Sequence, residues 1–301
     1  MGKKTISDLL FEAVLTRLTT QEQKLEECII VAGEADGKNV LAKSRDRNYH
    51  ARVKIVRDLC DDGETEVVYF EDLDTGYAEG MNSHGLGVVN AALAIADDEN
   101  EVKGKVRSED GPRMVHALKS SKTIDDAVKS LVGYKGGIKG HTFVGNPSGV
   151  YSIEMSSEHT PVINKLDPTT GFDVRTNHGK DHDGAGYTPD RRPADYMSSK
   201  IRKAQAEVEL ADVNDFEKVA PAIAKQHFDH GSNDNMLRRV PKKAGMVTVS
   251  QVAMHLPNKE MIFYYFPNEC DFEGVEDRTP DGHEPKINVR VIERPEVKPE
   301  K

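Results

Sequence analysis

Three thiols are the first candidates for covalent chemistry: Cys28, Cys60 and Cys270. They are odd in number and widely spaced, so they read neither as a disulfide framework nor as a CxxC zinc pair. Cys28 stands where a charged stretch ending KLEE gives way to the apolar run CIIVAGE (28–34). A thiolate there could serve as a nucleophile, but a lone cysteine opening a strand is more often a small buried apolar group. Residue type and position alone leave both readings open. Two polar clusters invite a metal reading and lack the order for one. NHGKDHDG (177–184) gathers His178, Asp181, His182 and Asp183 without HExxH-type spacing. HFDHGSNDN (227–235) lacks the DxDxDG order of a calcium loop. No metal and no other cofactor is expected.

Any such chemistry needs elements to position it. Residues 5–26 read as one amphipathic helix, with Ile6, Leu9, Leu10, Ala13, Val14 and Leu18 near helical spacing. From Cys28 the pattern changes to strands. CIIVAGE and NVLAKSR (39–45) flank an ADGK turn; VKIVRDL (53–59) and EVVYFED (66–72) follow as a second pair. GMNSHGLGVVNAAL (80–93) reads as a loop and then a buried strand. Residues 112–132 read as helical, with Thr123 and Asp126 resembling a capping box. HTFVGN (141–146) and VYSIEM (150–155) form a hairpin, and FDVRTNHG (172–179) ends a strand in a polar loop. Helices are expected at 197–209 and 216–228, and a last hairpin at 246–256 and 260–266. The Pro-, Glu- and Lys-rich tail from about Glu276 reads as a surface extension. Hairpins outnumber βαβ crossovers, which argues for an α+β fold of antiparallel sheets packed with helices. There is no internal repeat.

Composition narrows the class further. The chain has 301 residues, 31% of them charged, with a net charge of −10. That length supports a sizeable core, and the acidic balance argues against a nucleic-acid partner, which would need a basic stripe. No run approaches the ~18 apolar residues of a membrane span. The N-terminal stretch is interrupted by Asp8, Glu12 and Arg17, unlike the apolar core of a signal peptide. The expectation is therefore a cytoplasmic protein with no membrane partner.

The sequence resembles a known superfamily at several points. C-I-I-V-A-G-E-A-D-G followed by V-L-A-K-S-R-D is similar to the mature start of cysteine N-terminal-nucleophile (Ntn) hydrolases. The groups it resembles are choloylglycine hydrolase and penicillin V acylase, and the related acid ceramidase and acyl-coenzyme A:6-aminopenicillanic acid acyltransferase. AKSRD (42–46) fits the family's second-strand motif with Lys43 at its Arg and Asp46 at its Asp. A second register would use Arg45 and Asn48, at the cost of the carboxylate. The segment from Gly80 to Leu93 looks like the family's Asn-bearing loop, matching Asn82. GVYSIEM (149–155) and the final hairpin also look like family segments. RTNHG (175–179) resembles its T-N-H segment, matching Asn177, and SSKIR (198–202) resembles a helix start that matches Arg202. Lys43 is a departure: it keeps the positive charge and loses the planar fork of donors.

The resemblance spans about residues 28–270 and implies a four-layer αββα sandwich, the Ntn-hydrolase fold. It implies domains of 1–27 as a leader, 28–275 as the hydrolase and 276–301 as a C-terminal extension. It also implies a mechanism. Cys28 is freed by autocatalytic removal of the leader, and its thiol attacks a non-peptide amide to give a thioester acyl-enzyme. The α-amine, near pKa ~7.7–8.0 when free, is the base. Asp46 holds that amine, Lys43 favours the thiolate, and Asn177 with Asn82 cradles the oxyanion. Arg202 matches a late active-site arginine. The expected partner is a small-molecule amide substrate, with a homo-oligomer left open. The low aromatic content, 6%, argues mildly against a large sterol or lipid pocket. Two competing readings stand beside hydrolysis. One is acyl transfer through the same thioester; the other is a non-catalytic binding or assembly protein that keeps its leader.

Overall fold

Asp36 and Gly37 both take positive φ, 53° and 68°, the backbone a tight two-residue hairpin demands. They join β1 (Glu26–Ala35) to β2 (Lys38–Arg47) in unbroken antiparallel register, which sets Cys28 opposite Arg45 and Glu27 opposite Asp46. The structure is a computed structural model that describes residues 26–93, 109–156, 159–190, 192–228, 232–238 and 246–294. The helix expected over 5–26 lies outside the described residues, except that Glu26 already belongs to β1.

After the first hairpin come β3 (Ala51–Leu59), β4 (Glu66–Asp72), β5 (Ala78–Asn82) and β6 (Gly87–Ala91). The hairpin β7 (Gly140–Asn146) and β8 (Gly149–Met155) leads to β9 (Val162–Leu166) and the short β10 (Asp173–Arg175). The chain finishes with β11 (Val247–His255), β12 (Glu260–Tyr265), β13 (Cys270–Asp277) and β14 (Asn288–Glu293). Between these lie helices α1 (Asp110–Ser120), α2 (Ile124–Gly133), α3 (Pro193–Leu210) and α4 (Phe216–Ala222). One sheet has six strands in the order β10-β1-β2-β11-β12-β14; the other has eight, β13-β3-β4-β5-β6-β7-β8-β9.

Strand alternation divides the apolar residues among three interfaces. Cys28, Ile30, Ala32 and Leu41 meet Val53, Phe70, Met81 and Phe143 between the two sheets. Ile29, Val31, Val40 and Ala42, one residue out of phase, bury against Ala206 and Leu210 of α3 and Phe216 and Val219 of α4. On the far side, Val56, Val67 and Val88 pack under Met114 and Leu118 of α1 and Ala127 and Leu131 of α2. The layers therefore run helix, sheet, sheet, helix. This is the α+β, αββα sandwich that the sequence implies.

Several elements differ from the sequence reading. The helix expected over 112–132 is two helices: Ser121 is extended, and Thr123 Oγ1 accepts from Asp126 N at 3.2 Å to start α2. Helix α4 stops at Ala222 rather than 228; Pro221 lacks the N–H a continuing helix uses. The stretch from residue 80 forms two strands, β5 and β6, not one. Strand β13, all but its last two residues ahead of Glu276, pairs in parallel with β3. The tail from Glu276, expected as a surface extension, stays largely exposed yet adds β14 in parallel to β12. Burying Glu66 explains how: its carboxylate accepts from Lys286 N at 2.9 Å, Ile287 N at 3.2 Å and His283 Nε2 at 2.8 Å. Charge composition alone hides such an anchor.

Packing of α1 on the second sheet yields a test. Replacing a helical glycine with alanine ordinarily stabilises by about 0.5–1 kcal/mol. At Gly111 a Cβ would sit 1.9 Å from the Gly76 carbonyl oxygen. Gly111→Ala is therefore expected to destabilise by about 1–3 kcal/mol, read as a lowered midpoint in denaturant. An unchanged or raised midpoint would contradict this docking of α1.

Candidate active site

Strand β2 carries charge on both of its faces, and Cys28 on β1 stands beside both. Lys43, Arg45 and Arg47 share the face of Cys28, between the sheets, and all are buried. Their counter-charges come from the opposing sheet. Lys43 Nζ donates to Glu79 Oε2 at 3.1 Å, Arg45 pairs with the same oxygen, and Arg47 Nε donates to Asp72 Oδ2 at 2.9 Å. Aromatic rings line the cluster: Lys43 lies 4.1 Å over Tyr77, and Arg45 lies 4.2 Å over Phe70. Burial lowers the Lys43 pKa, against the raising influence of Cys28 and Glu79. Three basic side chains thus face two carboxylates on the side of the thiol.

The opposite face of β1 and β2 carries Glu27 and Asp46, and there the partners are on α3 and in the loops around it. Glu27 Oε2 accepts from Arg238 Nη1 at 2.7 Å and from Arg202 Nη2 at 2.9 Å; Oε1 accepts from the Tyr187 hydroxyl at 2.8 Å. Burial by itself would raise the carboxyl's pKa, but the two guanidinium charges and these hydrogen bonds overcome it and hold Glu27 at about 2. Asp46 Oδ1 accepts from Thr248 Oγ1 at 2.8 Å. Its Oδ2 is buried, accepts no hydrogen bond among the described residues, and lies 3.5 Å from Arg238 and 3.8 Å from Arg202. Burial therefore wins at Asp46, and its pKa is raised despite both arginines.

Asn177 joins the two faces. Its Oδ1 accepts from Cys28 N at 3.3 Å and from Arg202 Nη2 at 3.1 Å. One N–H of its amide donates to Ala92 O at 2.7 Å. Its own main-chain N–H is held by Ser199 Oγ at 2.9 Å, from the first turns of α3. Arg238 is fixed by Asn233 O at 2.9 Å and Ser198 Oγ at 3.2 Å.

Of the residues expected from sequence, Cys28, Lys43, Asp46, Asn177 and Arg202 are thus gathered around one peptide bond, that between Glu27 and Cys28. Asn82 is not. Its Nδ2 donates to Leu118 O at 2.9 Å and Ser121 O at 2.8 Å, its Oδ1 accepts from His84 N and Leu86 N, and its main-chain N–H binds Leu86 O. Asn82 ties the end of α1 to the β5–β6 turn, and its side-chain amide and main-chain N–H are both engaged there. The alternative register's Arg45 is also present, directly across from Cys28. Sequence reasoning missed Glu27, Glu79, Tyr187 and Arg238 as site residues. Period-2 alternation from Cys28 could have placed Glu27 beside Asp46, but nothing local marks Arg238. Cys270 is a structural thiol: burial pushes it up to about 12, and its Sγ donates to Val249 O at 3.3 Å.

Two solved structures resemble this fold. Penicillin V acylase from Agrobacterium tumefaciens is 15% identical, with 79% of this chain and 86% of that chain covered at a TM-score of 0.45. The Caenorhabditis elegans N-acylethanolamine-hydrolyzing acid amidase (NAAA) ortholog is 16% identical, with 76% and 92% covered at a TM-score of 0.49. No protein-family model matches the chain, and no curated protein matches it. Residue roles therefore rest on the geometry above.

The Glu27 carboxylate gives the site a pH signature. Its folded pKa of about 2 lies below its ordinary 4.5, so its contribution is full above about pH 4.5 and fades as pH falls towards 2. In a Cys28→Ala background, adding Glu27→Gln should cost stability at neutral pH, and this gap should narrow steadily below pH 4.5. Denaturant titrations across that range check it; a gap independent of pH would contradict the buried ion pairs.

Proposed function

We propose that this chain is the precursor of a cysteine Ntn amidohydrolase, in which Cys28 severs the Glu27–Cys28 bond and then acts as a terminal nucleophile on a small-molecule amide. The observation that carries the reading is the setting of the Cys28 main-chain nitrogen. It donates to Asn177 Oδ1, and across from the neighbouring Glu27 stands buried Asp46, whose Oδ2 accepts no hydrogen bond among the described residues. A peptide nitrogen cannot act as a base. Cleavage would convert it to an amine with further N–H groups and a lone pair, and Asp46 Oδ2 is the acceptor at hand.

In maturation, Cys28 Sγ attacks the Glu27 carbonyl carbon. The C–S bond forms, the C–N bond to Cys28 breaks, and the freed nitrogen takes the proton; water then hydrolyses the thioester and releases the leader. In turnover the α-amine takes the thiol proton as Sγ attacks the substrate carbonyl, and passes it to the departing amine. Lys43, Arg45 and Arg47 share the face of the sulfur, where their basic groups would favour a thiolate. The second N–H of Asn177 Nδ2, beyond the one given to Ala92 O, is available for the oxyanion. Arg202 acts on Asn177 and the Glu27 side rather than on the thiol.

One feature favours a second reading, a non-catalytic protein that keeps its leader: Glu27 is held by three donors and fully buried with them. Turnover and variant kinetics separate the two. Cys28→Ala should give a soluble, uncleaved, inactive chain. Asn177→Ala should lower kcat by about 10²–10³, and Asn177→Asp should be at least as damaging, because it sets a negative charge towards the oxyanion. A role confined to holding the loop would instead cost roughly 1 kcal/mol of stability with near-normal kcat. Retention of most kcat by a normally cleaved Asn177→Asp would remove Asn177 from the mechanism.

A further inference from the structure

The group that Glu27 now occupies is a built carboxylate site, and self-cleavage would empty it. Arg202, Arg238 and Tyr187 are buried, and each points a donor at one carboxylate. Arg202 Nε and Nη1 make no hydrogen bond among the described residues, so the cradle has donors to spare. The charges also count. With Glu27 present, two guanidinium groups face two carboxylates, Glu27 and Asp46. Without Glu27, only Asp46 remains, and the cradle carries a net positive charge in a buried setting. An uncompensated buried charge is costly, and an anion of the right reach would restore the balance.

Geometry fixes that reach. In maturation the acyl group carried on Cys28 Sγ is that of Glu27 itself, and its side-chain carboxylate sits in this cradle. The carboxylate carbon is separated from the reacting carbonyl carbon by three carbons. Resting on the proposed function, we propose that the mature enzyme prefers amides whose acyl group bears a second carboxylate at that spacing: glutaryl amides or α-linked glutamyl amides. The thiolate attacks the acyl carbon, the C–S bond forms, and the C–N bond breaks as the amine leaves with a proton. Water then hydrolyses the thioester to the free dicarboxylic acid and the thiol. The precursor's own Glu27 is in this sense a tethered copy of the substrate's acyl end.

The test uses the full-length chain as purified, its N-terminus determined on the same sample. N-glutaryl-4-nitroanilide and N-pentanoyl-4-nitroanilide have acyl chains of equal length and differ in the terminal carboxylate. The cradle predicts a kcat/KM ratio favouring glutaryl by at least about tenfold, since buried donors left unpaired penalise the uncharged analogue. Succinyl and adipoyl analogues, one carbon short and long, should fall between. Arg238→Gln should bring the ratio towards one, and Tyr187→Phe, which keeps the ring, should lower it several-fold. A chain beginning at Cys28 that cleaves pentanoyl as well as glutaryl overturns this inference and leaves the proposed function standing. So does a ratio that survives in the folded, processed Tyr187→Phe and Arg238→Gln enzymes. A chain that keeps residues 1–27, or is inert towards every anilide, overturns the proposed function and the cradle with it.

Discussion

The buried ion cluster around Glu27 is the constraint on which the rest of the site depends. Two guanidinium groups and two carboxylates share one buried compartment against the outer face of β1 and β2. Charges removed from water are tolerated only when paired and hydrogen-bonded. Arg238 is held by Asn233, Ser198 and Glu27 together, and Arg202 bonds Glu27 and Asn177. These bonds draw the loop before α3, the first turns of α3 and the segment before β11 onto one end of the β1–β2 hairpin. Glu27 is the residue at which they converge, and Asn177 carries the contact on to the main-chain nitrogen of Cys28.

Strand β2 is the other organising element. Because its side chains alternate, one strand supplies a cationic row to the space between the sheets and a carboxylate to the helix side. The row is paired from β4 and β5 by Asp72 and Glu79, which places its counter-charges on the second sheet. The sandwich is therefore more than a scaffold: without the facing sheet, Lys43, Arg45 and Arg47 would be unpaired next to the thiol. Asp46, raised by burial, stands on the other side of the same peptide.

Much of this was legible in the sequence wherever the signal was local. The ADG turn fixed the β1–β2 register, and with it the neighbours of Cys28. The TNH and SSKIR segments led to Asn177 and Arg202, which the structure brings within 3.1 Å of each other. At Asn82 the local signal is ambiguous: an Asn before a His-Gly turn serves equally well as a turn and helix-end clamp, the use its hydrogen bonds show. Arg238 and Tyr187 were invisible because they reach Glu27 across 211 and 160 residues, and no motif surrounds them. The strand in the tail was missed for a similar reason. Its residues are largely exposed, and the buried Glu66 carboxylate, far upstream, holds the segment just before it.

The central claim is that the Glu27–Cys28 bond is a substrate of its own neighbourhood. Intact mass and N-terminal sequence, followed over time on purified wild-type chain, test it most directly. The account predicts conversion to a species beginning at Cys28, first-order and independent of protein concentration, as an intramolecular acyl shift requires. A chain that stays intact from its first residue while active on an amide would contradict it, because the nitrogen of Cys28 would then never become a base.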